Sequence, residues 1–218
     1  MKKPVLERPV LLDVQGITRL YGPAKGCEAI DFQLHAGEVL GIVGESGSGK
    51  STLLRVLAGL EAPDAGQVVY RRQADDAGGD EAELDLYAIG EARRGTAAFS
   101  SGGWCIRTPA TACAWACPPG PTSVNGCGPG PAPLRPAPRA TGQDWMRQVE
   151  LDPGRIDDAP RTFSGGMQQR LQIARTLVTR PRLVFMDEPT GGLDVSVQAR
   201  LLDMLRTLVR QLGLSWCW

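Results

Sequence analysis

The sequence GESGSGKS at residues 44–51 constrains the fold of this chain more than any other feature. It has the pattern G-x-x-x-x-G-K-[ST], in which glycines let successive backbone N–H groups turn inward around phosphate oxygens. An apolar run at 39–43 predicts a strand buried on both faces before it, and the apolar spacing at 51–60 predicts a helix after it. Because this is the order of elements that phosphate binding requires, we expect a nucleotide site here.

The expected nucleotide contacts come from this one continuous stretch. The Lys50 ammonium would neutralise the β- and γ-phosphate oxygens, and the Ser51 hydroxyl would be offered to Mg²⁺. A Gly-Ser turn that merely caps a helix is the alternative, but such a turn needs neither the second glycine nor the lysine. The full set of candidate contact residues is Gly44, Ser46, Gly47, Ser48, Gly49, Lys50, Ser51 and Thr52.

The remaining periodicity is that of an α/β protein. Apolar or alternating runs at 10–14, 29–34 and 183–186 predict strands, and helical spacing covers 168–180 and 195–212. Strands that alternate with helices of this length are typical of a parallel sheet.

Two adjacent carboxylates, Asp187 and Glu188, follow the predicted strand at 183–186. A strand would point them in opposite directions, which gives them separate tasks. We expect Asp187 to hold the Mg²⁺ ion together with Ser51, and Glu188 to orient or deprotonate the water that attacks the γ-phosphate. An acidic pair that opens a surface turn before Pro189 is the alternative.

A second glycine pair, in Ser164-Gly165-Gly166, precedes the predicted helix at 168–180. It could present backbone N–H groups to a second anion, and a plain helix cap by Ser164 is the alternative. With this motif lying between the glycine-rich loop and the acidic pair, the chain resembles the ATP-binding subunit of ABC systems. The usual fifth residue of that family's signature is Gln, and Met167 stands here.

The resemblance implies further roles and an architecture. The implied fold is a P-loop nucleotide hydrolase core of α/β type, with an antiparallel β part near the N-terminus and a helical part ending at the signature. Tyr21 would stack on adenine, with a half-buried tyrosine at a strand end as the alternative. In a head-to-tail homodimer, or a pair with a related subunit, Asp194 would communicate across the interface. The γ-phosphate held by the opposite subunit would be contacted by Ser164, Gly165 and Gly166.

Two segments, 162–175 and 185–200, carry a closer resemblance within the family. They look most like the ATP-binding protein of the carbon–phosphorus lyase system for phosphonate breakdown, and dipeptide, oligopeptide and nickel importer ATPases are near neighbours. The resemblance implies a subunit that hydrolyses Mg·ATP and partners either membrane permease subunits or the lyase complex. The implied location is the cytoplasm, with contact to the inner face of the membrane through partners.

Charge and hydropathy argue against two classes of function. The chain carries 24 Lys plus Arg and 24 Asp plus Glu, so no net basic field would draw it to nucleic acid. No apolar run reaches the roughly 18 residues of a membrane span, and the residues after Met1 lack the hydrophobic core of a signal peptide. We therefore expect a cytosolic protein that has no nucleic acid partner.

The segment 94–142 departs from the composition of the rest of the chain. It contains nine of the 17 prolines, four of the six cysteines and no acidic residue. Because it shows neither helical nor strand periodicity, we expect a disordered or aberrant segment without packed substructure, inside a single incomplete ABC domain at 1–218. The cysteine spacing matches neither paired zinc knuckles nor a disulfide framework, which favours incidental thiols.

Two elements of the family are missing from the sequence as written. One is a Gln that follows a strand between the phosphate loop and the signature, since neither Gln73 nor Gln143 follows an apolar strand. The other is a His beyond the acidic pair, and the sole histidine, His35, lies in a predicted turn and is assigned no catalytic role.

Shifted reading frames would explain both gaps. Read one nucleotide earlier, the codons for residues 104–106 and 215–218 encode apolar, strand-like residues. We therefore expect an interruption at about 94–142, a truncation after about 214 that removes a strand of the parallel sheet, and negligible ATP turnover. The alternative to shifted frames is a genuine Pro-rich insert with a natural truncation. For the function, the alternative is that the chain is the catalytically inert product of a frameshifted gene.

Overall fold

The computed structural model describes residues 8–22, 25–72, 82–89, 102–105, 139–178 and 181–217. Among them, no helix combines the length and the apolar character needed to cross a bilayer. The strands are β1 (Val10–Gly22), β2 (Lys25–His35), β3 (Val39–Leu40), β4 (Ala65–Arg72), β5 (Ala82–Asp85), β6 (Gly102–Cys105), β7 (Leu183–Met186) and β8 (Ser215–Cys217). The helices are α1 (Lys50–Leu57), α2 (Arg139–Gln148), α3 (Gly165–Leu177) and α4 (Val195–Leu212), with short 3-10 turns at Pro153–Arg155 and Pro160–Thr162.

An antiparallel sheet lies at the N-terminal end of the chain, in the strand order β2-β1-β4-β5. Its first strand runs on to Gly22, well beyond the predicted segment at 10–14, and its pairing with β2 shifts register between Val14 and Ile17. Such irregularities let a ladder continue where strict apolar alternation ends. Strand β2 (Lys25–His35) also extends beyond the predicted segment at 29–34. His35 is therefore the last residue of a strand, where a turn was expected.

A parallel sheet in the strand order β3-β8-β7-β6 separates two apolar cores. Because neighbouring residues of a strand point to opposite faces, β7 supplies Val184 and Met186 to one core and Leu183 and Phe185 to the other. The first core contains buried residues of α2, α3 and α4, and the second contains residues of β1, β4 and α1. The sheet therefore holds the carboxyl end of β7 between two packed layers.

Strands β6 and β8 correct two expectations from the sequence. The predicted loss of a C-terminal strand is wrong, because Ser215–Cys217 pairs in parallel with both β7 and β3. The segment 94–142 lies largely outside the described residues, but within it Gly102–Cys105 pairs with β7 and α2 begins at Arg139. Backbone hydrogen bonds of a sheet do not depend on side-chain pattern, so a run with an unusual composition can still occupy a strand position.

Strand β3 is shorter and more exposed than the apolar run at 39–43 predicts. Only Val39–Leu40 pairs, and its one neighbour among the described strands is β8. Past Leu40 the backbone leaves the sheet, so Val43 is 92% exposed where a strand buried on both faces was expected.

Helix boundaries differ from the predictions by a few residues, except for α4, which is confirmed at both ends. Helix α1 ends at Leu57, three residues before the predicted end, at the turn made by Ala58 and Gly59. Helix α3 begins at Gly165, three residues before the predicted start, because the Ser164 side chain caps it there. Strand β7 occupies the predicted residues 183–186.

Ser215 connects β8 by hydrogen bonds to the end of β2 and the turn that follows it. Its buried hydroxyl accepts from the Gly37 N–H at 2.8 Å and donates to the His35 carbonyl at 3.3 Å. Replacing Ser215 with Ala leaves the Gly37 N–H without that acceptor, so we expect the free energy of unfolding to fall by about 1–2 kcal/mol in urea titrations. Ser196→Ala, an exposed site on α4, is the matched control, and equal loss in both variants would contradict this role for Ser215.

Candidate functional site

The glycine-rich stretch at residues 44–51, called the phosphate loop below, wraps tightly before α1. Gly47 and Gly49 have φ of 84° and 91°, a left-handed conformation that favours glycine. A Cβ on Gly49 would lie 1.9 Å from the Gly26 carbonyl oxygen, so the backbones of the loop and of β2 approach as closely as only glycine allows. The loop residues from Gly44 to Ser48 are exposed, so a ligand can reach this stretch of backbone, although the Ser48 N–H already donates to the Glu45 carbonyl at 3.2 Å.

The first turn of α1 also offers free N–H groups. Gly49 is its N-cap and supplies no side-chain hydrogen bond to the helix. The first N–H groups of a helix have no acceptor within it, and the helix dipole adds a partial positive charge at this end. The loop and the helix start therefore form one surface of donors suited to phosphate oxygens.

The Lys50 ammonium is folded back over the phosphate loop. It donates to the Gly44 and Glu45 carbonyls at 2.7 and 2.6 Å, and to the Ser48 hydroxyl at 3.4 Å. A Cβ on Gly44 would come within 2.8 Å of Ser48 Oγ, so the lack of a side chain there keeps the concave side open. A fixed cation inside a ring of backbone donors fits a triphosphate.

The structure brings together Ser51 and Asp187, which are 136 positions apart in the chain. The Ser51 hydroxyl donates to Asp187 Oδ1 at 3.0 Å, which joins the start of α1 to the carboxyl end of β7. Both side chains offer only oxygen atoms, the donor type that Mg²⁺ prefers, and Mg²⁺ is usually held by one or two carboxylates plus substrate phosphates. The two residues therefore fit a magnesium ion bound with a nucleotide.

Glu188 does not continue the strand, which corrects the expectation that strand alternation separates the two carboxylates. β7 ends at Met186, and Glu188 adopts φ of 45°, a left-handed conformation that is costly for a residue with a side chain. Its carbonyl accepts from the Gly191 N–H at 3.0 Å, so the turn that follows helps to keep this conformation. Glu188 is exposed beside Asp187, where a water molecule can reach its carboxylate.

The predicted signature lies at the start of α3. Ser164 is the N-cap, and its Oγ accepts from the Met167 N–H at 3.4 Å, so the capping interpretation holds whether or not the motif binds an anion. A Cβ on Gly166 would lie 2.9 Å from Val197 Cγ1, which brings this turn against the start of α4, where the exposed Asp194 is the N-cap. Within the described part of the chain, Ser164, Gly165, Gly166 and Asp194 form no hydrogen bond with the phosphate loop.

The Arg155 guanidinium, which the sequence did not indicate, contacts the two residues before Ser164. Arg155 lies 4.1 Å above the Phe163 ring, and its Nη2 donates to the Thr162 carbonyl and hydroxyl at 3.3 and 3.2 Å. Asp158 accepts from Arg155 Nε at 2.7 Å. No sequence pattern marks this arginine, because its partners lie within one irregular segment.

Tyr21 lies near the end of β1, and 51% of its surface is exposed. Its neighbour Leu20 pairs with Gly26, and Gly26 abuts Gly49 of the phosphate loop. The end of the hairpin that carries Tyr21 is thereby held against the start of α1. The residue sits inside the strand, where the sequence placed it after one.

Two cysteines have described side chains, and their surroundings make both thiols unreactive. Cys27 and Cys217 are free and buried. Burial raises the pKa of the Cys27 thiol, and it raises the pKa of Cys217 to about 12. Both side chains therefore stay protonated near neutral pH and serve as small apolar groups in the core. The predicted incidental thiols at 105, 113, 117 and 127 lie outside the residues whose side chains the structure describes.

Comparison with known proteins assigns the family. The profile of the ABC transporter family matches residues 27–191, which is most of the chain. The phosphonates utilization ATP-binding protein PhnK of Escherichia coli (strain K12) is 48% identical over 205 residues, covering 94% of this chain and 77% of that protein. A peptide import ATP-binding protein of Brucella ovis is 34% identical over 209 residues, and the chain spans 62% of its length.

The fold agrees with solved ATP-binding cassettes. The dimeric, ADP- and phosphate-bound structure of the cassette MJ0796 superposes with a TM-score of 0.72, at 22% identity, over 95% of this chain and 86% of that one. The nucleotide-free structure of an ABC transporter cassette gives the same TM-score at 20% identity, over 96% of this chain and 80% of that one. The chain belongs to the ABC transporter family, as an ATP-binding subunit that by family resemblance is an ATP hydrolase.

Proposed function

We propose that this chain binds Mg·ATP in the phosphate loop and hydrolyses it as one half of a head-to-tail dimer, in service of phosphonate uptake or of carbon–phosphorus bond cleavage. The observation that carries the nucleotide part is the 3.0 Å hydrogen bond between Ser51 and Asp187, since it joins the phosphate loop to the acidic pair. The 48% identity to a phosphonates utilization protein, against 34% to a peptide importer subunit, supports the phosphonate part.

Binding is assigned to one continuous surface. Backbone N–H groups of the phosphate loop and of Thr52 would donate to the phosphate oxygens. The Lys50 ammonium would leave the loop carbonyls and donate to phosphate oxygens instead. Tyr21 would take the adenine ring by stacking. Ser51 and Asp187 would hold Mg²⁺, which when bound neutralises charge on the β- and γ-phosphates.

Hydrolysis is assigned to the carboxylate at the exposed end of β7. Glu188 would accept a proton from the attacking water or orient that water, and its left-handed backbone keeps the side chain beyond the strand. Ser164, Gly165 and Gly166 are exposed or half-exposed at the start of α3, where a second subunit's nucleotide can reach their N–H groups. Asp194, exposed at the start of α4, would face the partner subunit in that dimer.

Partner choice separates the phosphonate assignment from its main alternative, a peptide or nickel importer. We expect the affinity-tagged chain, expressed in an Escherichia coli strain that lacks its own relative and grows on a phosphonate as phosphorus source, to copurify with other proteins of phosphonate utilisation. Mass spectrometry identifies the partners, and the same strain grown on phosphate is the control. Copurification with peptide importer permeases, or with no partner, would contradict the phosphonate assignment.

A further inference from the structure

A polar network holds the side chain of Tyr21 at the end of β1. The Tyr21 hydroxyl donates to the Glu61 carboxylate. The Arg19 guanidinium lies 5.1 Å from the centroid of the tyrosine ring and also donates from Nε to Glu61 Oε1 at 2.8 Å. A second carboxylate, Asp64, accepts from Arg19 Nη1 at 2.7 Å and from the Leu20 N–H at 2.8 Å.

The network joins the tyrosine to the helix that carries the phosphate loop at its start. Glu61 and Asp64 lie in the segment between α1 and β4, and Arg55 of α1 approaches Glu61 with 4.0 Å between Nε and Oε2. Arg19 and Tyr21 belong to β1, the strand whose end is held against Gly49 through Gly26. The hydroxyl of Tyr21 is therefore bonded to the segment after α1, and the strand that carries the ring lies against the start of α1.

The charges of the network support one another. The hydrogen bond from Tyr21 lowers the pKa of Glu61, and the hydrogen bond from the Leu20 backbone lowers the pKa of Asp64. Glu61 in turn raises the pKa of the Arg19 guanidinium. All three groups are ionised near neutral pH, so the ion pairs persist under ordinary assay conditions.

About half of Tyr21 stays exposed although two side chains contact it. Arg19 covers one face with its guanidinium, and Glu61 fixes the hydroxyl end, yet 51% of the residue remains exposed. A ring that is already fixed loses less rotational freedom when a flat ligand stacks on it, so the stacked complex is more stable.

We propose that Arg19 and Glu61 are positioning residues that hold Tyr21 as a preformed platform, with one open ring face for the adenine of ATP. This inference rests on the proposed function, which places the triphosphate of the same nucleotide in the phosphate loop. The competing interpretation is that the network only clamps β1 to the segment after α1, as the Asp64 contacts with Arg19 and Leu20 already do.

A ligand that has phosphates but no base distinguishes the two roles of the network, positioning of Tyr21 or clamping of β1. Calorimetric titrations of the full chain with ATP and with inorganic tripolyphosphate, both with Mg²⁺, report base and phosphate contacts separately. Tyr21→Ala is expected to weaken ATP binding about ten-fold or more, the size of a lost base–aromatic stack. Glu61→Gln and Tyr21→Phe are each expected to weaken it about three- to five-fold, as for a partly exposed polar pair. Tripolyphosphate affinity should stay unchanged in all three variants.

Two further variants sharpen this test. The double variant Tyr21→Phe/Glu61→Gln should bind ATP no more weakly than the weaker single variant, because both substitutions break the same contact. Glu83→Gln, which removes an ion pair with Arg71 of 3.2 Å at the other end of β4, is the matched control and should leave both affinities unchanged. Unchanged tripolyphosphate binding also shows that each variant keeps a folded phosphate loop.

Three outcomes would overturn the inference. Equal weakening of ATP and tripolyphosphate by Glu61→Gln would assign the network a clamping role, and unchanged ATP affinity in Glu61→Gln would deny it any role. An unsubstituted chain that binds tripolyphosphate as tightly as ATP would show that no base platform exists while leaving the phosphate site intact. Failure of the unsubstituted chain to bind either ligand would instead overturn the proposed function itself.

Discussion

Replacing Glu188 with Gln should lower the rate of phosphate release from Mg·ATP by about 100-fold or more, the usual contribution of a general base. Gln has the same shape, but it cannot accept the proton of the attacking water. The carboxylate lies beyond β7 in a left-handed conformation and next to Asp187, which together with Ser51 is assigned the metal. Single-turnover measurements with the chain in excess over labelled ATP keep even a slow reaction visible.

A second carboxylate provides the control for Glu188. Asp203 is exposed on α4, where it pairs with Arg206 at 3.3 Å. Asp203→Asn removes one negative charge, as Glu188→Gln does, and should leave the rate unchanged. Equal rates in the unsubstituted chain and in Glu188→Gln would show that the base lies elsewhere.

Replacing Lys50 with Ala should weaken Mg·ATP binding by roughly 30- to 100-fold, the range expected for lost hydrogen bonds between charged groups. The ammonium already lies among the loop carbonyls of Gly44 and Glu45, so it reaches bound phosphates without reordering a distant side chain. Calorimetry measures the affinity. Arg210→Ala, at an exposed arginine in the last turn of α4, is the control.

The Lys50 and Arg210 variants each remove one positive charge. Arg210→Ala should bind as the unsubstituted chain does, because Arg210 lies at the far end of α4 from Asp194. Equal affinity in Lys50→Ala and Arg210→Ala would mean that the loop does not hold the triphosphate. Thermal unfolding of both variants shows that each is folded before the affinities are compared.

Features set by local sequence could be predicted. Strand β7 and helix α4 lie at the predicted residues, because a continuous apolar run and a helical apolar stripe each specify one kind of element. The phosphate loop follows a strand and precedes a helix as predicted, since its glycines supply the conformations that the turn requires.

Features set by distant partners could not be predicted. Val43 belongs to an apolar run that predicts a buried strand, yet it is exposed because β3 already ends at Leu40. Strands β6 and β8 gain their hydrogen bonds from β7 and β3, which sequence periodicity does not encode. Trp216 of β8 is buried in the core, and its indole N–H has no hydrogen-bond partner among the described residues.

Some residues of the candidate site could be predicted from the sequence, and others could not. The motif residues Lys50, Ser51 and Asp187 could be named from spacing alone, because phosphate and Mg²⁺ chemistry demands those groups. The contacts of Arg19 with Glu61 and of Arg155 with Phe163 follow from how irregular segments pack, and no motif marks them. The left-handed conformation of Glu188 likewise depends on the turn that ends at Gly191.

A crystal structure of the 218-residue chain with Mg²⁺ and a non-hydrolysable ATP analogue tests most directly whether the phosphate loop and the acidic pair share one nucleotide. We expect the Lys50 ammonium to have left the Gly44 and Glu45 carbonyls for phosphate oxygens. We also expect metal density between the Ser51 hydroxyl and the Asp187 carboxylate, in place of their direct 3.0 Å hydrogen bond. A nucleotide bound elsewhere, with the Lys50 and Ser51 contacts unchanged, would contradict the assignment of this site.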